Sequence, residues 1–110
     1  MSRPSDSISR GPRGLDQLDA LLQHRGRLGA MVLLSAHNEI NFSTLRDLLK
    51  ESDGNLGAQL RKLEDAQYVG VKKEFQDRKP VSWYTLTAIG RRALKAHLDA
   101  LEAIVRSANV

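Results

Sequence analysis

The side chains able to do chemistry are few and scattered. His24, His37 and His97 are the natural metal ligands and proton carriers, yet no two stand four residues apart on one helix face, and the chain has no cysteine. A thiolate site, a disulfide and a cysteine nucleophile are therefore excluded, and no metal is expected. Ser35-Ala36-His37 and the serines of the opening segment form no nucleophile constellation. Gly54, Gly57, Gly70 and Gly90 belong to no phosphate-loop or dinucleotide pattern and read as turn and close-packing positions. Neither a cofactor nor an enzymatic activity is expected.

What remains is the chemistry of reading a polyanion. With Leu56, Leu60 and Leu63 turned inward on a helix over about residues 53–67, the opposite face carries Asn55, Ala58, Arg61, Lys62 and Asp65, with Gln59 at its edge. Asn and Gln make bidentate contacts to adenine, and Arg makes them to guanine. An ordinary solvated helix end would show the same Arg61, Lys62, Glu64 and Asp65, so this face alone does not decide. A second cluster, Lys72, Lys73, Arg78 and Lys79, surrounds a proline-containing turn against Glu74 and Asp77. Each phosphate such a cluster neutralised would make binding strongly salt-dependent. Trp83 and Tyr84 could stack on bases, but they fall on alternate faces of a strand, so at least one belongs to the core.

These residues need elements to position them. Leu15, Leu18 and Leu22 recur at helical spacing, and the apolar run Leu28–Leu34 predicts a second helix ending near His37. Ile40-Asn41-Phe42 is a strand stub, after which Ser43-Thr44 offers a cap for a third helix with the stripe Leu45, Leu48 and Leu49. The polar turn Ser52-Asp53-Gly54-Asn55 separates it from the helix of Leu56, Leu60 and Leu63, which makes the pair a helix-turn-helix. The period then changes to two: Val69, Val71, Lys73 and Phe75 alternate with Gly70, Lys72 and Glu74, and Ser82–Leu86 is rich in strand formers. That predicts a β-hairpin with a basic tip over about residues 72–82. Thr87 caps a last helix, about 87–106, whose Leu94, Leu98, Leu101 and Val105 step by four, three and four and so call for a partner helix.

Size and charge bound the rest. A chain of 110 residues has room for one core, and 41% hydrophobic with 27% charged residues is a globular composition. The longest apolar stretch, Leu28–Ala36, is about half of a membrane span, and no apolar leader opens the sequence, so neither membrane insertion nor secretion is expected. Net charge is +4, and half of that excess lies in residues 1–14, where Arg3, Arg10 and Arg13 face only Asp6 among four Ser, two Pro and two Gly. Residues 1–14 therefore read as a flexible basic arm ahead of a domain over 15–106. The lack of cysteine makes a reducing cytoplasm the expected setting.

Three stretches together resemble the small winged-helix transcriptional regulators of the MarR/ArsR-like group: Phe42–Leu49, Asp53–Glu64 and Trp83–Arg91, the last reading Tyr-x-Leu-Thr-x-x-Gly-Arg. The resemblance covers roughly residues 15–105. It implies a mainly α fold with a β-hairpin wing, and a cytoplasmic, nucleoid-associated homodimer on a palindromic double-stranded DNA operator. It also implies that Asn55, Ala58, Gln59, Arg61 and Lys62 lie at the groove and Arg78-Lys79 in the wing. The chain departs from the family pattern at Ala88-Ile89, where proline and an acidic residue are common. Dimerisation is expected through Leu15, Leu18, Leu22, Leu94, Leu98, Leu101 and Val105, since an exposed stripe of that length is an association liability in a monomer. The alternative is a winged helix used as a protein-interaction module, a reading that Glu64, Asp65 and Asp77 near the basic face keep open.

Overall fold

The computed structural model describes residues 10–110. Among them the helical periods become α1 Arg25–Ala36, α2 Phe42–Leu49, α3 Asp53–Asp65 and α4 Ala88–Ser107, and the alternating periods become β1 Ile40–Asn41, β2 Val69–Gln76 and β3 Lys79–Leu86. The strands form one antiparallel sheet in the order β1-β3-β2. α2 and α3 are the helix-turn-helix and β2–β3 the wing, so the fold is a winged helix. No helix among the described residues is long and apolar enough to cross a membrane.

Each α-helix starts where a side chain takes up an amide that the first turn leaves without a partner. The Nδ1 of His24 accepts from the Gly26 and Arg27 amides, Ser52 Oγ from Asn55, and Thr87 Oγ1 from Gly90. The cap of α2 is Asn41, whose Oδ1 accepts from the Thr44 amide at 2.8 Å, and not Ser43 or Thr44. The shift follows from β1: Asn41 is still extended, and the chain turns helical at Phe42.

The expected helix over Leu15–Leu22 does not form. Two single 3-10 turns, Leu15–Gln17 and Ala20–Leu22, are separated by an extended Leu18 and Asp19, and the Asp19 side chain accepts from the Leu21 amide. The segment lies across α4. Gly14 has φ 91° and sits so close that a Cβ there would collide with the Ala100 carbonyl, which demands glycine on both counts. Of the expected arm, residues 1–9 lie outside the described residues, whereas its end at Gly14 is packed.

One core joins the layers. Leu22 from the N-terminal segment, Ala30, Met31 and Leu34 from α1, Leu45 and Leu49 from α2, and Leu56, Leu60 and Leu63 from α3 close on Ile40, Val69, Tyr84 and Leu94. Leu48, placed in the α2 stripe by the sequence, is 57% exposed instead. His97 is buried on α4, and its Nδ1 accepts from the Asp19 amide at 2.9 Å. Asp19 also accepts from the Tyr68 hydroxyl at 2.5 Å, so one carboxylate and one imidazole tie the N-terminal segment to both the end of the helix-turn-helix and α4. That bond, with burial behind it, pushes the Tyr68 phenol up to about 12. At the other end of α4, Gly90 lies against the Tyr68 carbonyl, where no side chain fits.

Candidate nucleic-acid interface

Helix α3 is held at a set height by its neighbours. Arg25 on α1 donates from one Nη1 to the Leu49 carbonyl at 3.0 Å and to Glu51 Oε1 at 2.6 Å, gripping the turn between α2 and α3. Arg46 on α2 crosses the same turn to Asp53 Oδ1 at 2.8 Å, and Asp53 followed by Asp47 raises the guanidinium pKa. With Leu56, Leu60 and Leu63 buried beneath, Asn55, Ala58, Arg61, Lys62 and Asp65 stand exposed on the opposite side. This matches the face expected from the helical period.

Gln59 is different. It is half-buried, and its Oε1 accepts from Nη1 of Arg27, whose Nε donates at 2.5 Å to the Leu21 carbonyl. The structure thus turns toward α1 an amide that the sequence reading assigned to the groove. Arg27, half-buried, was not singled out by the sequence, and no periodicity could have shown that it meets a residue thirty-two positions away.

Two further glycines bear on this surface. Gly54 and Gly57 lie within α3, and a Cβ on either would meet no atom within 4 Å. They therefore serve neither a turn nor close packing, contrary to the expectation. In a helix interior a glycine costs roughly 0.5–1 kcal/mol relative to alanine. Among the described residues no contact at either position offsets that cost. What the two glycines create is a low surface on the first turns of α3, where another molecule's backbone can approach.

The wing stands beside this face. In the ladder Val69, Val71, Lys73 and Phe75 are opposite Leu86, Tyr84, Ser82 and Pro80, and directly paired residues share a face. This inner face packs under α3, with Tyr84 buried, and burial pushes its phenol pKa up. A groove of about 480 Å³ runs between α3 and the wing, lined by Arg61, Asp65 and Gly57 on one side and Lys73 and Ser82 on the other. Of the two aromatic neighbours on β3, Tyr84 is thus the core residue, while Trp83 lies half-buried on the outer face.

The four wing cations divide by pairing. Lys72 is on the outer face opposite Trp83, and it pairs with Glu74 at 3.0 Å, a carboxylate that raises the lysine pKa. Lys73, Arg78 and Lys79 are exposed and make no ion pair among the described residues. The wing turns in two residues, Asp77 (φ 51°) and Arg78 (φ 65°), both in the left-handed region. This is the tightest hairpin connection, and it aims Arg78 outward at the tip.

The residues expected at a subunit interface separate into three sets. Leu22 and Leu94 are enclosed in the chain's own core, and Leu18 and Leu101 are half-buried. Leu15, Leu98 and Val105 are exposed by 51%, 41% and 70%. No group of three or more His, Cys, Asp or Glu side chains suited to a metal ion occurs among the described residues.

Comparison with known proteins bears on this geometry. The profile of the winged helix DNA-binding domain matches residues 27–105. A transcriptional regulator homologue from Pyrococcus horikoshii superposes with a TM-score of 0.76 at 29% identity, covering 82% of this chain and 89% of that one. The MepR protein of Staphylococcus aureus, solved as a DNA complex, superposes with a TM-score of 0.67 at 16% identity, over 84% of this chain and 75% of that one. A MarR-family regulator from Silicibacter pomeroyi gives 0.62 at 23% identity, over 80% of this chain and 58% of that one. No curated protein matches the sequence.

Proposed function

Since the chain belongs to the winged helix DNA-binding domain family, we propose that it is a sequence-specific binder of double-stranded DNA, acting in the cytoplasm as a homodimeric transcriptional regulator rather than an enzyme. The observation that carries this reading is that two cation-bearing surfaces flank one groove. Asn55, Arg61 and Lys62 are exposed on α3, Arg61 faces Lys73 of the inner wing face across a groove, and Lys73 there and Arg78 and Lys79 at the wing tip have no ion-pair partners among the described residues. A helix in the major groove with a hairpin on the flanking backbone or minor groove uses such a pair of surfaces together.

The two surfaces divide the work. Arg61 and Asn55 have the chemistry to read base edges, whereas Lys73 and Lys79 have that of phosphate neutralisation. Gln59 acts on the inner side, where it fixes α3 to α1 through Arg27. Pairing of two chains over Leu15, Leu98 and Val105 would bury the stripe that a single chain leaves exposed. A twofold pair then sets half-sites about one helical turn, ~34–36 Å, apart on a palindromic operator.

Fluorescence anisotropy on specific and random duplexes over a salt series tests the reading. Arg61→Ala is expected to cost about 1–3 kcal/mol on the preferred site and to relax one base position, while Lys79→Ala weakens all duplexes alike. Salt-insensitive or absent binding of the unmodified chain would favour the protein-interaction alternative, for which Asp65 in the groove is the supporting feature.

A further inference from the structure

One rung of the wing is not explained by phosphate contact. The inner face of the ladder runs Val69–Leu86, Val71–Tyr84, Lys73–Ser82 and Phe75–Pro80. The first two rungs are packed into the domain and the third lines the groove against α3. The fourth overhangs it: Pro80 is exposed, and Phe75 is 79% exposed although it continues the alternation that begins in the core. A benzyl group beside a pyrrolidine makes a stiff apolar plate. It sits on a ladder that stays paired out to Gln76–Lys79 and closes in two residues, so it cannot fold back onto the body of the domain.

The surroundings say what such a plate would meet. Lys73 shares its face, and Arg78 and Lys79 follow at the tip, whereas Glu74 faces the other way and is paired with Lys72. An apolar plate rimmed by unpaired cations complements a surface in which stacked rings and sugar edges lie between rows of phosphates. It also faces the same side as the exposed residues of α3. We propose that Phe75, backed by Pro80, enters the minor groove beside each half-site and partly unstacks one base step there. This inference rests on the DNA-binding reading and adds to it a source of sequence preference without hydrogen bonds. Pyrimidine–purine steps unstack most readily, so the wing selects TA or CA/TG at a fixed offset outside the positions read by α3.

Selection from random duplexes by the full chain, run in parallel with Phe75→Ala, Phe75→Leu and Lys79→Ala, tests it. The unmodified chain is expected to enrich a pyrimidine–purine step flanking the half-site. Phe75→Ala should lose that enrichment and at least tenfold in affinity, keep the inner base preferences, and keep the slope of log affinity against log salt, since no ion is released by an apolar contact. Phe75→Leu, still a wedge, should retain part of the enrichment, and Lys79→Ala should lower the slope while keeping the step. Because Phe75 is exposed, an unchanged melting temperature checks that each variant is folded. Unaltered selection and affinity for Phe75→Ala would overturn the wedge while leaving DNA binding intact. Failure of the unmodified chain to select any duplex would overturn both readings. Phe75-dependent binding to anionic phosphatidylserine vesicles, with duplex selection unaffected, would assign the plate to a lipid surface and likewise overturn the proposal.

Discussion

Replacing Arg78 with glycine should raise the stability of the wing and lower its affinity for DNA at once. Arg78 has φ 65° and is preceded by Asp77 at φ 51°, the backbone of a two-residue hairpin turn that favours Asp-Gly. Holding a residue with a Cβ in the left-handed region costs roughly 1–2 kcal/mol. Glycine removes that cost but gives the unfolded chain more freedom, worth about 0.4–1 kcal/mol. The net gain is then roughly 0.5–1 kcal/mol, or about 2–8 °C in melting temperature for a domain of this size. The same change deletes an exposed, unpaired guanidinium at the tip. If it neutralises one phosphate, the salt slope should fall by about 0.9 per wing and affinity near 0.1 M salt by roughly tenfold. Thermal denaturation and an anisotropy salt series on the same preparation measure both. An unchanged or lower melting temperature would refute the strain argument, and an unchanged salt slope would remove Arg78 from the interface.

Three other perturbations separate parts of the account. Gly57→Ala should stabilise α3 by about 0.5–1 kcal/mol, because its Cβ meets only open space, yet reduce DNA affinity by standing between the helix and its partner; a gain in both would show that the low surface is unused. Tyr68, pushed up to about 12 by its bond to Asp19, contributes stability that is complete below pH 10 and is lost as pH rises toward 12. Tyr68→Phe should therefore lose about 1.5 kcal/mol at neutral pH and show a shallower alkaline decline in urea titrations, and parallel curves for the two proteins would exclude the bond. Leu98→Asp, at a position 41% exposed, should give folded monomers by sedimentation with much weaker operator binding; a monomeric unmodified chain at micromolar concentration would refute the pairing.

The local signals in the sequence carried most of the fold. The i, i+4, i+7 spacing of Leu56, Leu60 and Leu63 fixes which side of α3 is buried, and Thr87 marks the start of α4 because a hydroxyl there takes the Gly90 amide. The change of period at Val69 locates the wing, and strict alternation already separates Lys72 from Lys73. What was not legible depended on distant partners. Leu15, Leu18 and Leu22 have helical spacing, but the chain there is pinned by His97, Tyr68 and α4, so their spacing carries no helix. Gln59 sits at the edge of the outer face and is drawn inward by Arg27, a contact no sequence window contains. Phe75 was present in the alternation, and its significance emerges only from where the body of the domain ends.

The central claim is that α3 and the inner wing face read one stretch of duplex, twice, in a symmetric pair of chains. Selection of bound fragments from a random duplex pool tests it most directly, because one measurement reports binding, base preference and site symmetry. The account predicts enrichment of a palindrome with half-site centres about one helical turn apart, lost when Arg61 and Asn55 are both replaced by alanine. Recovery of an unenriched pool, or of a single asymmetric half-site unaffected by those replacements, would contradict it.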